Sequence, residues 1–110
     1  EIPMQVLADS IQLHGMEKKK IIAMEEMSEL TKEVCKDLRG EVRRHNIIEE
    51  FADVFICLNM LKLMYNITDE EIQEWVNYKI ERQIKETGNI LRKSRRHYAV
   101  YSPCRYVYFV

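Results

Sequence analysis

Two acidic pairs, Glu26-x-x-Glu29 and Glu50-x-x-Asp53, stand within residues 23–55, with twenty residues between Glu29 and Glu50. On a helix, residues three apart lie about 60° apart around the axis and roughly one turn apart along it. Each pair therefore sets two carboxylates on one helical face. Arg39-Gly40 in the intervening stretch marks a chain reversal. Two antiparallel helices joined there would bring all four carboxylates together. Such a donor set is all oxygen, which suits a hard divalent cation, Mg²⁺ or Mn²⁺. A cation of that kind can orient a polyphosphate, polarise a phosphorus centre and lower the pKa of a bound water.

Glu50 and Asp53 carry most of this reading. They interrupt an apolar sequence, with Phe51, Ala52, Val54 and Phe55 around them, so full solvation is not expected. Two like charges about 5 Å apart repel by roughly 3 kcal/mol at an effective dielectric near 20. Several such pairs together rival the stability of a small domain, about 5–15 kcal/mol. A cluster there must protonate, pair with Lys or Arg, or bind a cation. Glu26-x-x-Glu29 alone has an ordinary reading as a solvated face; the two pairs on sequential helices go beyond it.

Ligand chemistry narrows the metal. Di-iron carboxylate bundles use Glu-x-x-His pairs. His14, His45 and His97 are preceded at three residues by Ile11, Val42 and Ser94, so the chain has no Glu-x-x-His. Zinc would require Cys or His clusters, and there is no C-x-x-C. His14, alone near a helix end, reads as a polar cap or surface group.

The elements that must position these acids are helical. Pro3 suits a first turn, residues 6–14 have helical spacing, and Gly15 ends the segment. From residue 16 to 38 a long amphipathic helix is expected, with Ile22, Met27, Leu30, Val34 and Leu38 as its core stripe and Glu25, Glu26, Glu29 and Glu33 on an adjoining face. Gly40 suits a helix C-terminus. Asn46 followed by Glu49 resembles a capping box opening a third helix that runs to about Tyr65. Fourteen of the nineteen residues from 47 to 65 are apolar. A helix apolar nearly all round is buried on most sides, and a chain this short has little to surround it, so a second copy is expected to cover one face. Thr68-Asp69-Glu70-Glu71 is a second capping box, and Ile72, Val76, Ile80 and Ile84 form the stripe of a fourth helix to about Thr87, with Gly88 as its stop. Beyond it, Arg92, Lys93, Arg95 and Arg96 precede an aromatic tail in which Ser102-Pro103 marks a turn, the pattern of an irregular or hairpin-like segment. The expected fold is all-α: a bundle of about four helices completed by oligomerisation.

Composition sets the outer bounds. The 110 residues suit one domain, and 46% are apolar, enough for a core. With 17 Lys and Arg against 18 Asp and Glu the formal charge is −1. That balance, with one short basic run, makes nucleic acid an unlikely partner. Cys35, Cys57 and Cys104 cannot complete a disulfide framework; Cys35 and Cys57 fall within helical apolar patterns, and the cysteines read as buried reduced thiols in a cytoplasmic protein. The longest apolar run, residues 54–64, contains Asn59 and Lys62 and is too short and polar to span a membrane.

The run EEMSELTKEVCKDLRG…NIIEEFADVF…YKIERQ resembles the MazG-like nucleotide pyrophosphohydrolases of the all-α NTP pyrophosphatase superfamily. That family carries Glu-Glu-x-x-Glu, a spacer, then Glu-x-x-Asp. Glu25-Glu26-x-x-Glu29 and Glu50-x-x-Asp53 match it, and the likeness spans residues 16–86. The resemblance implies a domain over residues 1–90, a tail of unassigned role over 91–110, and a homodimer or homotetramer. It implies Mg²⁺, with Mn²⁺ as substitute, and hydrolysis of a nucleoside triphosphate between the α and β phosphates. Carried over by position, Glu26, Glu29, Glu50 and Asp53 are metal ligands, and Glu25 is a neighbouring acid for support or water activation. Lys79 and Arg82, three apart on the fourth helix, stand where the family holds phosphates. Lys36 and Arg39 are secondary phosphate contacts. Trp75 and Tyr78 could stack on a base, though packing in a core or interface is their commoner use. Two rivals remain: a phosphoribosyl-ATP, dUTP or dCTP pyrophosphohydrolase with the same chemistry, and a non-catalytic helical interaction module.

Overall fold

The computed structural model describes residues 1–41 and 43–98. The chain is all-α, with four helices and no strand among the described residues: α1 Met4–His14, α2 Met16–Leu38, α3 Arg44–Tyr65 and α4 Asp69–Tyr98. None of these helices is long and apolar enough to cross a membrane. Two compact units divide the chain after Thr68. The first holds α1, α2 and α3.

Backbone chemistry explains the joints within that unit. Gly15 separates α1 from α2 with φ 92° and ψ 149°, a conformation that a Cβ disfavours strongly. The α2–α3 turn is short. Gly40 at φ 87° lets its own N–H donate to the Asp37 carbonyl and the Glu41 N–H donate to the Lys36 carbonyl, both at 2.9 Å, so the last carbonyls of α2 are satisfied. At the far end of α3, Asn66 takes the left-handed conformation, φ 54°, and the Ile67 N–H donates back to the Lys62 carbonyl at 3.0 Å. A connection this short makes α2 and α3 antiparallel neighbours.

α3 begins earlier than the sequence pattern predicts. The Asn46 and Ile47 N–H groups both donate to the Arg43 carbonyl, at 3.0 and 3.1 Å, so Arg43 is the N-cap and Asn46 already lies in the first turn. No side chain caps this end, and the expected Asn46–Glu49 capping box does not form.

The packed seam also differs from the expected stripe. Leu7 of α1, Ala23 of α2 and Cys57 of α3 are the buried apolar residues among those described, and Glu33 is buried with them. On α2 the inward face runs through Ala23, Glu26, Leu30 and Glu33, while Met27, Val34 and Leu38 lie exposed. The sequence placed the acids on an adjoining face. The packing turns α2 so that Ala23 is buried and the acids border the seam. α3 remains open on its other side: Ile48, Phe51, Phe55 and Leu58 are all exposed, and Ile47, Ile48, Phe51, Ala52 and Phe55 line a shallow apolar hollow.

The second unit begins with α4. Its first turn carries Asp69, Glu70 and Glu71, which complement the positive end of the helix dipole. The predicted stop at Gly88 is not used: α4 continues through Gly88 to Tyr98. A helical glycine costs about 1 kcal/mol relative to alanine, and good helix formers on both sides, among them Lys85, Glu86, Leu91 and Arg92, carry the helix across it. Residues 91–98 of the expected tail are therefore helical. The Ser102-Pro103 turn lies outside the described residues.

Candidate metal centre

The α2–α3 hairpin brings Glu26 together with Glu50 and Asp53. One carboxylate oxygen from each lies within 4.8 Å of the other two. Glu26 comes from the middle of α2, and Glu50 and Asp53 from successive turns near the start of α3. All three are half-buried along the seam. Among the described residues, none of the three has an ion-pair partner. Of the three outcomes open to clustered carboxylates, pairing with a cationic side chain is not the one adopted.

Protonation of Glu26 and Glu50 is correspondingly easier than for isolated acids. The Glu26 carboxyl is held above its ordinary pKa by burial first, then by the charges of Asp53, Glu29 and Glu25. Glu50 is pushed up by burial and then by Asp53, Glu26, Glu29 and Glu49. Burial and crowding both disfavour the charged form. A divalent cation would relieve both, and three carboxylates with no Cys or His among them form the donor set of a hard ion.

Glu29 is close enough to act on Glu26 and Glu50 through its charge, but it is not one of the three converging groups. Its carboxylate lies 3.5 Å from Lys32 Nζ, with the side chain 46% exposed. It would need to turn from Lys32 to join the others. Glu25 is exposed, its charge felt at Glu26. Lys36 donates to Glu33 at 3.1 Å, and Arg39 pairs with Glu41 at 3.7 Å beyond the helix end.

The α4 candidates are arranged among themselves. Trp75 and Tyr78 meet edge to face with centroids 5.7 Å apart. Lys79 Nζ lies 5.8 Å from the Trp75 ring centre and the Arg82 guanidinium 5.9 Å from that of Tyr78. All four are exposed. The two cations are thus held over aromatic faces by a weak attraction, with their polar ends in solvent.

Two further residues stand at this seam, neither of them among the expected ligands, and of the two helical thiols expected to be buried Cys57 is and Cys35 is not. Cys57 is buried one turn beyond Asp53, and its thiol is pushed up by burial, then by Glu26 and Asp53, with Lys19 opposing. Glu33 is buried one turn beyond Glu29. Their spacings, Asp53-x-x-x-Cys57 and Glu29-x-x-x-Glu33, placed both on the acid-bearing faces. No protein-family model, curated protein or solved structure matches the chain.

Proposed function

We propose that this chain is a divalent-metal-dependent nucleotide pyrophosphohydrolase, cleaving a nucleoside triphosphate to the monophosphate and pyrophosphate. The observation that carries the reading is the convergence of Glu26, Glu50 and Asp53 on one point without a cationic side chain among them. In this reading those three hold Mg²⁺ or Mn²⁺, and Glu29 joins them when it leaves Lys32. The bound ion supplies charge neutralisation at phosphate oxygens and lowers the pKa of a water. Glu25, exposed beside Glu26, supports the ligands or takes a proton from water. The sequence resemblance alone assigns Lys79 and Arg82 to phosphate, and Trp75 and Tyr78 have ring faces suited to a base. The resemblance in sequence to MazG-like enzymes supports the nucleotide as substrate. The alternative within the same chemistry is a phosphoribosyl-ATP, dUTP or dCTP pyrophosphohydrolase.

The protein acts as a homodimer or homotetramer in this reading, with a second copy covering Ile48, Phe51 and Phe55. Those exposed apolar residues also favour one rival, a non-catalytic helical interaction module. Pyrophosphate release from a panel of ribo- and deoxyribonucleoside triphosphates and phosphoribosyl-ATP, in Mg²⁺ and in EDTA, decides between them. Mg²⁺-dependent release, abolished in Glu50→Gln and Asp53→Asn with helicity intact, is the expected result. Release by none of these substrates from folded protein would leave the interaction module as the better account.

A further inference from the structure

Charge is divided unevenly along the chain. Residues 1–86 hold twelve Lys and Arg against eighteen Asp and Glu. Residues 87–110 hold five basic residues, Arg92, Lys93, Arg95, Arg96 and Arg105, and no acid. The same segment carries five of the ten aromatic residues, Tyr98, Tyr101, Tyr106, Tyr108 and Phe109. Such an asymmetry suits an anionic partner met by one end of the chain alone.

α4 carries the start of this segment as a helix, through Gly88 to Tyr98. Positions 80, 84, 91 and 98 (Ile, Ile, Leu and Tyr) follow steps of four, seven and seven, and so share one face. Positions 92 and 96, both Arg, fall about 100° and 140° around the axis from position 91, on the polar side. The apolar face is open: Ile80, Ile84 and Ile90 are exposed, Ile84 by 64%. Ile80, Gln83, Ile84, Thr87 and Gly88 line a shallow, largely apolar hollow along it. A helix with an apolar face, a charged opposite face and low overall hydrophobicity lies in the plane of a bilayer surface rather than across it, and α4 is not apolar enough to cross one. A nucleic acid would engage the cations but leave the apolar face and the tyrosines without a role. An anionic bilayer engages all three, since tyrosine favours the level of the headgroups.

We propose that residues 80–110, the second half of α4 with the segment that follows it, dock on an anionic lipid bilayer. The face of Ile80, Ile84 and Leu91 enters the boundary between headgroups and acyl chains, and Arg92, Lys93, Arg95 and Arg96 meet the anionic headgroups. The acidic remainder of the chain is repelled by the same surface, which confines contact to this end. The inference is independent of the metal-centre reading above.

The test is sedimentation of the full chain with vesicles of phosphatidylcholine containing about a quarter phosphatidylserine, and with vesicles of phosphatidylcholine alone. Binding to the first and not to the second, weakening as salt is raised, is the expected result. Each basic residue near such a surface strengthens binding about fivefold, so Arg92→Gln with Lys93→Gln should weaken it about thirtyfold. Lys18→Gln with Arg44→Gln removes the same charge from exposed positions outside the segment and should leave binding unchanged. Ile84 is exposed, so Ile84→Ser spares the fold, and it should weaken binding about tenfold. Circular dichroism checks that each variant keeps its helicity. No binding to either vesicle, equal binding to both, equal weakening by the two double variants, or full binding by Ile84→Ser overturns the proposal. Capture by a DNA duplex or a single-stranded RNA, with none by vesicles, also overturns it and makes the basic residues a nucleic-acid contact.

Discussion

Asp53→Asn should have opposite effects with and without metal. The exchange keeps the volume and the hydrogen-bonding capacity of the side chain and removes one charge. Oxygens of Glu26 and Asp53 lie no more than 4.8 Å apart. Even with the full screening of water, two charges at that separation repel by about 1 kcal/mol, and the half-buried seam screens less than water. Without metal, at pH 7, Asp53→Asn should therefore be more stable by about 1 kcal/mol, an increase in melting temperature of about 4–8 °C for a small domain. With Mg²⁺ at a hundredfold excess over its dissociation constant, the wild-type chain gains about 2.7 kcal/mol by mass action, and the variant loses most of that gain. The two melting curves should exchange order between EDTA and saturating Mg²⁺. Circular dichroism at both conditions is the assay. A variant less stable in EDTA would mean that Asp53 makes a favourable structural interaction, and equal Mg²⁺ shifts in both proteins would place the ion elsewhere. Either result refutes the reasoning.

The raised carboxyl pKa values of Glu26 and Glu50 mean that the folded state binds protons more readily than the unfolded one. Their contribution to the stability of the metal-free protein should be fully present below the ordinary carboxylate pKa and decline as pH rises through the raised values; denaturant titrations in EDTA across that window test the sign. Mg²⁺ affinity should move the other way, weakening on acidification as protons compete for the same oxygens, which calorimetry at several pH values would detect. Gly88 lies in a helix with nothing within 4 Å of an added Cβ, so Gly88→Ala should raise stability or helicity by about 0.5–1 kcal/mol; destabilisation would contradict a continuous α4. Cys35 is exposed and Cys57 buried with a raised thiol pKa, so alkylation mapped by mass should modify Cys35 well before Cys57.

Several features were legible because they are local. Gly15 and Gly40 break the helical pattern where only glycine tolerates the backbone, and both joints fall there. The periodicity of residues 16–38 marked α2 to its ends. Local signals failed where two of them competed. Asn46 has the chemistry of an N-cap, yet the Arg43 carbonyl accepts the first hydrogen bonds, so the helix opens before it. Gly88 has the chemistry of a stop, but a single glycine costs less than the helix formers around it supply.

The sequence by itself determined that Glu26, Glu29, Glu50 and Asp53 could share the facing sides of two helices, because helical periodicity and a short turn depend only on neighbours in the chain. Tertiary packing decided which of them meet. Glu26, Glu50 and Asp53 converge, while Glu29 stays with Lys32, because the rotation of α2 against α3 turns Glu26 to the facing side. The same rotation exposed Met27, Val34 and Leu38 and buried Glu33 with Lys36 beside it. Spacing within one helix limits the faces that a residue can share. Only the packing of a second helix selects the face that is used.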